Sequence, residues 1–162
     1  MRILDEGDDI NDELRKIVDV NLMGTVYCSR AAFCSMKNRE SGYIININSI
    51  TGHFIPFPTE DVASYNTYGA SKFGVTAFTE TLRQEIVCSD KKDKIRVTSI
   101  SPGEVKTEMI EASGFEGDAD EYFSSVPLLL PEDIADGVIY VLSTPTRVSV
   151  AELTIRPTGE RA

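Results

Sequence analysis

The first part of the chain places apolar residues at the spacing of one helical face. Two good helix-capping residues, Asp9 and Asn11, stand where the pattern begins. The pattern predicts a long helix over residues 11–37, followed by a polar turn over residues 37–42. The apolar positions are Leu14, Ile17, Val18, Leu22 and Val26.

Short runs rich in β-branched residues predict strands over residues 42–48, 95–100 and 152–156. Ser49 follows the first strand at its carboxyl end, and Pro102 with Gly103 ends the second. Helical patterns fill the connections between strands. They cover residues 63–88, 119–124 and 131–142.

Each pair of predicted strands is separated by a connection long enough to hold a helix, which is typical of parallel βαβ units. A doubly wound dinucleotide fold has two βαβαβ halves, and the pattern supplies strands for only one of them. We therefore predict an α/β fold over residues 1–162, a single domain. It corresponds to the C-terminal half of a Rossmann-like doubly wound parallel sheet, with the N-terminal cofactor half missing.

The composition and net charge of the chain disfavour several classes of binding partner. The net charge of -10 disfavours nucleic acid and anionic lipid surfaces, and no apolar run approaches the roughly 20 residues that span a bilayer. The N-terminus has no secretory or transit character, which favours a cytoplasmic protein. Three cysteines at spacings that fit no zinc pattern are expected to be buried free thiols, and one histidine makes a metal site unexpected.

The chemistry that stands out is a phenol and an ammonium one helical turn apart, Tyr68 and Lys72. A nearby cation favours the phenolate, so Lys72 is expected to lower the pKa of Tyr68 toward neutrality. Ser49 offers a hydroxyl at the carboxyl end of the neighbouring strand, where open α/β sheets build their sites. Taken singly, such a Tyr–Lys pair is common on solvated helix faces; the combination is the stronger signal.

Four segments together resemble the short-chain dehydrogenase/reductase family in order and spacing. The resemblance implies an oxidoreductase in which Asn21, Ser49, Tyr68 and Lys72 are catalytic. Tyr68 would exchange a proton with the substrate oxygen, Lys72 would also bind the nicotinamide ribose, and Asn21 would bind a water linked to Lys72. The segments are Asn21-Leu-Met-Gly24, Ser49-Ile-Thr-Gly52, Tyr68-Gly-Ala-Ser-Lys72 and Pro102-Gly-Glu-Val-Lys-Thr107.

The same resemblance implies the cofactor and substrate. Pro102, Gly103, Val105 and Thr107 would face the nicotinamide carboxamide of NADP, with NAD as the alternative. Four segments are similar to the insect farnesol dehydrogenases and the dehydrogenase/reductase member eleven type, which act on hydrophobic alcohols, ketones or aldehydes. They are Asn48 to His53, the spacer Phe54 to Thr67, Arg96 to Gly103 and Glu152 to Pro157. In the family the two long helices pair across a twofold axis, which implies a homo-oligomer.

The chain departs from the family in one respect: its glycines form no G-x-x-x-G-x-G or G-x-G-x-x-G string. A truncated gene model or splice form, a remodelled binding protein, and a partner chain that supplies the missing half all remain open. We expect the chain alone to be marginally stable and inactive. A non-catalytic dimerisation or interaction module is therefore the alternative function.

Three further side chains have less demanding interpretations. His53 is expected to be satisfied by a backbone group rather than to touch substrate. Tyr65, on the same predicted helix as Tyr68, has no lysine one turn later and is expected to pack. Lys106 could reach a phosphate, although an exposed charge is the simpler expectation.

Overall fold

The computed structural model describes residues 3–7, 9–57, 65–109 and 118–160. Its centre is a three-stranded sheet in the order β1-β2-β3, in which both pairs of neighbours are parallel. Gly42 pairs with Ile95 and Ile47 with Ile100, so the first two strands begin together and β2 continues beyond the end of β1 to Pro102. The predicted fold class is confirmed. The strands are β1 (Gly42–Ile47), β2 (Ile95–Pro102) and β3 (Glu152–Ile155).

The helices occupy the connections where the sequence places them, with small shifts at their ends. The long predicted helix α3 begins at Asn66, because Tyr65 already has a non-helical backbone; the predicted start at residues 63 and 64 lies outside the described residues. Tyr65 therefore precedes the helix that carries Tyr68 and does not share it. The helices are α1 (Ile10–Val18), α2 (Gly24–Met36), α3 (Asn66–Val87), α4 (Ala119–Ser125) and α5 (Pro131–Ser143).

The first predicted helix contains a π-helical turn, Asp19–Met23, between α1 and α2. A π turn inserts an extra residue into the helical repeat and is often found at functional sites. Asn21 lies within it. Regular helical spacing gives no warning of such an insertion, so the sequence predicted one uninterrupted helix.

Both faces of the sheet are covered. On one face Ile44 and Val97 form the core with Leu82 of α3, packed against α2. On the other face α5 lies beside β3, with Gly137 close to Leu153 and Ile155. Side chains alternate between the faces along each strand, which is why apolar residues can pack on both.

The cysteines are exposed, contrary to the prediction of buried thiols. Cys28, Cys34 and Cys88 are all free and solvent-accessible. Cys28 and Cys34 lie in α2, which turns Ala32, Phe33 and Met36 toward the core and so leaves neighbouring positions outside. An apolar helical sequence did not identify which of its faces packs.

Candidate active site

The predicted site residues gather at the carboxyl ends of β1 and β2 and at the start of α3. Ser49 directly precedes a short 3₁₀ turn, Ile50–Gly52, whose three residues are buried. The Ser49 hydroxyl oxygen accepts hydrogen bonds from the Thr51 amide at 3.2 Å and the Thr51 hydroxyl at 2.9 Å. These bonds fix the Ser49 side chain within the turn.

Tyr68 lies in the first turn of α3, where Asn66 sets its position. Asn66 has a positive φ of 37°, and its side-chain oxygen accepts a hydrogen bond from the Tyr68 amide at 3.0 Å. Asparagine tolerates such backbone angles better than most residues, and strained angles cluster at functional sites. The helix start thereby directs the phenol toward the Ser49 turn.

Burial raises the pKa of the Tyr68 phenol, while side-chain hydrogen bonds with Ser49 and Thr51 lower it in part. The net direction is upward, opposite to the expectation that Lys72 would bring this pKa toward neutrality. The Lys72 ammonium lies 5.6 Å from the centroid of the Tyr68 ring. Burial is therefore the main cause of the direction of this pKa shift.

Lys72 is buried, and burial lowers the pKa of its ammonium. The ammonium donates to the backbone carbonyl of Asn48 at 3.2 Å and to that of Ile47 at 3.4 Å. Lys72 thus ties α3 to the end of β1, a structural role that the sequence did not reveal. A protonated amine has three donors, so these two bonds leave capacity for a sugar hydroxyl.

Asn21 reaches the site by a different route from the one the resemblance implied. Its side-chain amide donates to the Ser71 hydroxyl at 3.2 Å, and that hydroxyl donates to the Tyr68 carbonyl at 2.6 Å. The described contacts therefore connect Asn21 to the helical turn that bears Tyr68, through Ser71. Its predicted water-mediated link to Lys72 remains a prediction.

The segment from Pro102 to Thr107 follows β2 along the same edge. The Gly103 amide donates to the Ile155 carbonyl at 2.7 Å, and Val105 forms a parallel bridge with Leu129. Thr107 is exposed, and its hydroxyl accepts from the Met109 amide at 3.4 Å. Lys106 is also exposed, with its ammonium 5.3 Å from the centre of the Phe123 ring.

A cluster of acids and phenols beside Tyr68 was not anticipated. Burial, followed by the nearby Glu160 carboxylate, raises the pKa of Glu104, and a hydrogen bond with Tyr122 lowers it in part. Burial and Glu104 raise the pKa of Tyr122 to about 12, and burial followed by Glu104 raises that of Tyr65. The one sequence feature that could have indicated this cluster is the position of Glu104 directly after Pro102-Gly103.

Within the described part of the chain, the His53 imidazole contacts two side chains, whereas the sequence predicted a backbone partner. Its Nε2 lies 3.0 Å from the hydroxyl oxygen of Ser101 and 3.3 Å from Oε1 of Glu152. Both partners lie on strands far along the chain. No local pattern around His53 could have identified them.

The side chains present fit the nicotinamide ribose end of a dinucleotide. Besides the Lys72 ammonium, the same edge has a buried acceptor, Oδ1 of Asn48, without a hydrogen-bond partner among the described residues. Buried polar atoms of this kind call for a polar partner. No part of the sequence offers the glycine string that binds a pyrophosphate in this fold.

The profile of the family described as short chain dehydrogenase matches residues 6–116, more than half of the chain. The chain therefore belongs to the short-chain dehydrogenase/reductase family, and the resemblance stated from its motifs is confirmed. Farnesol dehydrogenase of Aedes aegypti is 46% identical over 156 residues, a match that covers 96% of this chain and 58% of that protein.

A second relative, dehydrogenase/reductase SDR family member 11 of Mus musculus, is 41% identical over 150 residues, covering 90% of this chain and 55% of that protein. Among solved structures, the closed form of a serine dehydrogenase complexed with NADP+ aligns with a TM-score of 0.78 at 30% identity, covering 93% of this chain and 58% of that one. The chain thus spans little more than half the length of these relatives.

Within residues 3–7, 9–57, 65–109 and 118–160, no helix combines the length and apolar character needed to cross a membrane. In that same part of the chain, no group of three or more His, Cys, Asp and Glu side chains could hold a metal ion.

Proposed function

We propose that this chain is the catalytic part of an oxidoreductase that transfers a hydride between NADP(H) and a hydrophobic alcohol or carbonyl compound, with NAD as the alternative cofactor. One observation carries the proposal. In a chain of this family, the Lys72 ammonium lies 5.6 Å from the centroid of the Tyr68 ring, and side-chain hydrogen bonding with Ser49 lowers the pKa of the Tyr68 phenol in part. The NADP+ bound to the serine dehydrogenase of similar fold supports the choice of cofactor.

In this proposal the side chains divide the work. Bound NADPH would supply the hydride. Because burial raises its pKa, Tyr68 stays protonated at neutral pH and donates a proton to the substrate oxygen as a general acid. Ser49 orients that oxygen, and Lys72 binds the ribose. The protonated phenol suits carbonyl reduction better than alcohol oxidation near neutral pH.

The substrate proposal rests on the apolar side chains around this edge. Phe57 is 89% exposed, Met109 61% and Ile55 52%, so these apolar side chains are accessible to a hydrophobic substrate. Ile55 also packs against Gly69, the neighbour of Tyr68 in α3. The name of the mosquito relative supports an alcohol of the farnesol type. The sequence also favours Ile110 and Phe115 as apolar residues near the substrate, and both lie outside the described residues. The other apolar members are Phe54, Val105 and Phe123.

Tyr68→Phe tests the assignment in a fusion protein, called the joined enzyme below. In it, the N-terminal part of the Aedes aegypti relative that precedes the matched region is fused to the start of this chain. Hydride transfer from NADPH to hydrophobic aldehydes and ketones is measured, with sugars and charged acids as comparison substrates. We expect kcat to fall by roughly 10²- to 10⁴-fold, the contribution of a positioned proton donor. Tyr65→Phe is the matched control and should remain within a few-fold of wild type.

An active Tyr68→Phe variant would refute the role of the phenol. Turnover confined to sugars or charged acids would refute the substrate class instead.

We also propose that the chain of 162 residues, purified alone, neither binds NADPH at micromolar concentration nor turns over substrate. Pyrophosphate binding in this fold depends on the backbone amides of a glycine turn and a helix N-terminus. The net charge of -10 adds repulsion against a polyanionic cofactor. Titration with NADPH, followed by cofactor fluorescence, tests this. Saturable micromolar binding by a monodisperse sample would overturn it.

The second candidate is a dimerisation or interaction module. Exposed apolar side chains on the long helices favour it: Val20 is 72% exposed, Tyr27 63% and Val87 50%. We propose that these helices pair with their copies in a homo-oligomer. Sedimentation analysis of the wild type and of Tyr27→Ser tests this, and a monomeric wild type would exclude it.

The exposed free cysteines support a reducing, cytoplasmic location.

A further inference from the structure

His53 ends the turn that begins at Ser49. Its amide donates to the Ile50 carbonyl at 2.9 Å, one of the backbone bonds that close the turn. Another joins the Gly52 amide to the Ser49 carbonyl, also at 2.9 Å. The His53 backbone is therefore part of the segment that fixes the Ser49 and Thr51 hydroxyls.

The His53 side chain connects this turn to two strands of the sheet. Its Nε2 contacts the hydroxyl of Ser101, whose residue is fully buried near the end of β2, and the carboxylate of Glu152 at the start of β3. Ser101 immediately precedes Pro102. One imidazole thus links the turn bearing Ser49 to the strand that leads into the proposed cofactor segment.

We infer that His53 is a positioning residue: it holds the turn of Ser49 and Thr51 against β2 and β3, so that both hydroxyls meet the Tyr68 phenol. The consequence for catalysis rests on the proposed function, whereas the link between His53 and Tyr68 does not. The buried Ser101 is the fixed end of the contact, because strand residues in the core have little freedom to move.

A histidine that served folding alone would affect overall stability without changing the surroundings of Tyr68. The inference requires more: loss of the imidazole must loosen the hydrogen bonds that Ser49 and Thr51 make with the phenol. Those bonds lower the pKa of Tyr68 in part. Loosening them should raise the pKa of Tyr68 further, which gives a readout that needs no bound cofactor.

The experiment uses the whole chain, labelled with ¹³C at the ζ carbon of tyrosine, and follows each phenol by NMR titration. The Tyr68 signal is identified by its loss in Tyr68→Phe. His53→Ala should shift the Tyr68 titration to higher pH, and His53→Gln, whose amide can still reach Ser101 and Glu152, should restore it toward wild type. Hydrogen exchange of the Gly52 and His53 amides should quicken roughly tenfold in His53→Ala.

Glu80→Gln is the matched control, because it breaks an exposed ion pair with Arg83 on α3 without touching the turn. It should leave the Tyr68 titration unchanged. Faster exchange in the turn with an unmoved Tyr68 titration in His53→Ala would overturn the inference, leaving a structural histidine. Should His53→Ala fail to fold, the double variant Ser101→Ala/Glu152→Ala decides, because it removes both side-chain partners of the imidazole. Unchanged turn exchange and an unmoved Tyr68 titration in that variant would overturn the inference too.

Activity separates this inference from the proposed function. In the joined enzyme His53→Ala should lower kcat about tenfold with little change in KM, and His53→Gln should recover most of it. An active Tyr68→Phe variant would refute the proposed function and leave the NMR result intact. A normal kcat in His53→Ala would refute the positioning role and leave the proposed function intact.

Discussion

The turn after β1 and the segment after β2 lie at the same edge of the sheet and are built differently. In the turn, residues 50–52 are buried, and the Thr76 hydroxyl donates to the Gly52 carbonyl at 2.9 Å. In the segment, Lys106 and Thr107 are exposed, and backbone bonds to Leu129 fix its course. The turn holds its side chains in fixed positions, whereas the segment after β2 leaves side chains exposed to solvent.

The difference indicates how the site divides its tasks. Groups that exchange protons need fixed geometry, because small displacements cost much of their effect. A segment that faces a cofactor can supply backbone groups and adjust its side chains. The turn and α3 therefore carry the proposed proton chemistry, and the segment carries the proposed cofactor contact.

The largest expected effect distinguishes the lysines of the two regions. Lys72→Ala removes the ammonium that binds the end of β1 and, in the proposal, the ribose, so kcat/KM should fall by roughly 10²- to 10⁴-fold. Lys106→Ala in the exposed segment should stay within about twofold, as surface substitutions usually do. Steady-state kinetics of the joined enzyme measures both. Comparable losses would erase the contrast.

Much of this architecture could be predicted from the sequence because it rests on local periodicity. Strand β1 and helix α5 each lie within a residue of their predicted ends, since alternation and helical spacing are read within one segment. The motif around Tyr68 and Lys72 also identified the family. What remained hidden depends on contacts between distant segments, such as His53 with Ser101.

The pKa of Tyr68 illustrates the same limit. The sequence showed a cation one turn away, which alone would lower the pKa. It could not show that burial raises this pKa, because burial depends on contacts between segments that are distant in the chain. The hydrogen bonds from Lys72 to the backbone carbonyls of Ile47 and Asn48 were hidden from the sequence in the same way, because they join segments that are distant in the chain.

A smaller effect is expected on the folding stability of alanine variants at Gly52 in the turn and Gly103 in the segment. A Cβ at Gly52 would lie 2.7 Å from the side-chain nitrogen Nδ2 of Asn48 and 2.8 Å from the backbone carbonyl oxygen of Lys72. These atoms are held in place, so Gly52→Ala should destabilise the fold by about 1–3 kcal/mol. Urea unfolding measures it as a lower midpoint at constant slope.

Gly103→Ala is the matched variant in the segment and should cost less. Its Cβ would lie 2.6 Å from Oε1 of Glu160, the far end of a flexible side chain, and 2.8 Å from Cδ of Pro157. A greater loss in Gly103→Ala than in Gly52→Ala would show that the segment after β2 is the more rigid of the two.

The smallest expected effect tests whether the segment acts on the turn electrostatically. Burial chiefly raises the pKa of Tyr68, and the Glu104 carboxylate adds a smaller upward contribution. Glu104→Gln removes that contribution, so the pKa of Tyr68 should fall. Carbonyl reduction needs the protonated phenol, and its alkaline limb should therefore move to lower pH. Glu108→Gln, at the exposed position directly after this segment, is the control.

The stability of Glu104→Gln gives an independent check with a defined sign. Burial, with Glu160, raises the pKa of Glu104 above its ordinary value of 4.5, so the folded chain binds this proton more tightly than the unfolded chain. The resulting stabilisation is complete below pH 4.5 and is lost as the pH rises through the raised pKa. Glu104→Gln removes this dependence, so its stability relative to wild type should increase between pH 4 and pH 8. A constant difference across that range would mean that Glu104 is solvated, and its influence on Tyr68 would then be negligible.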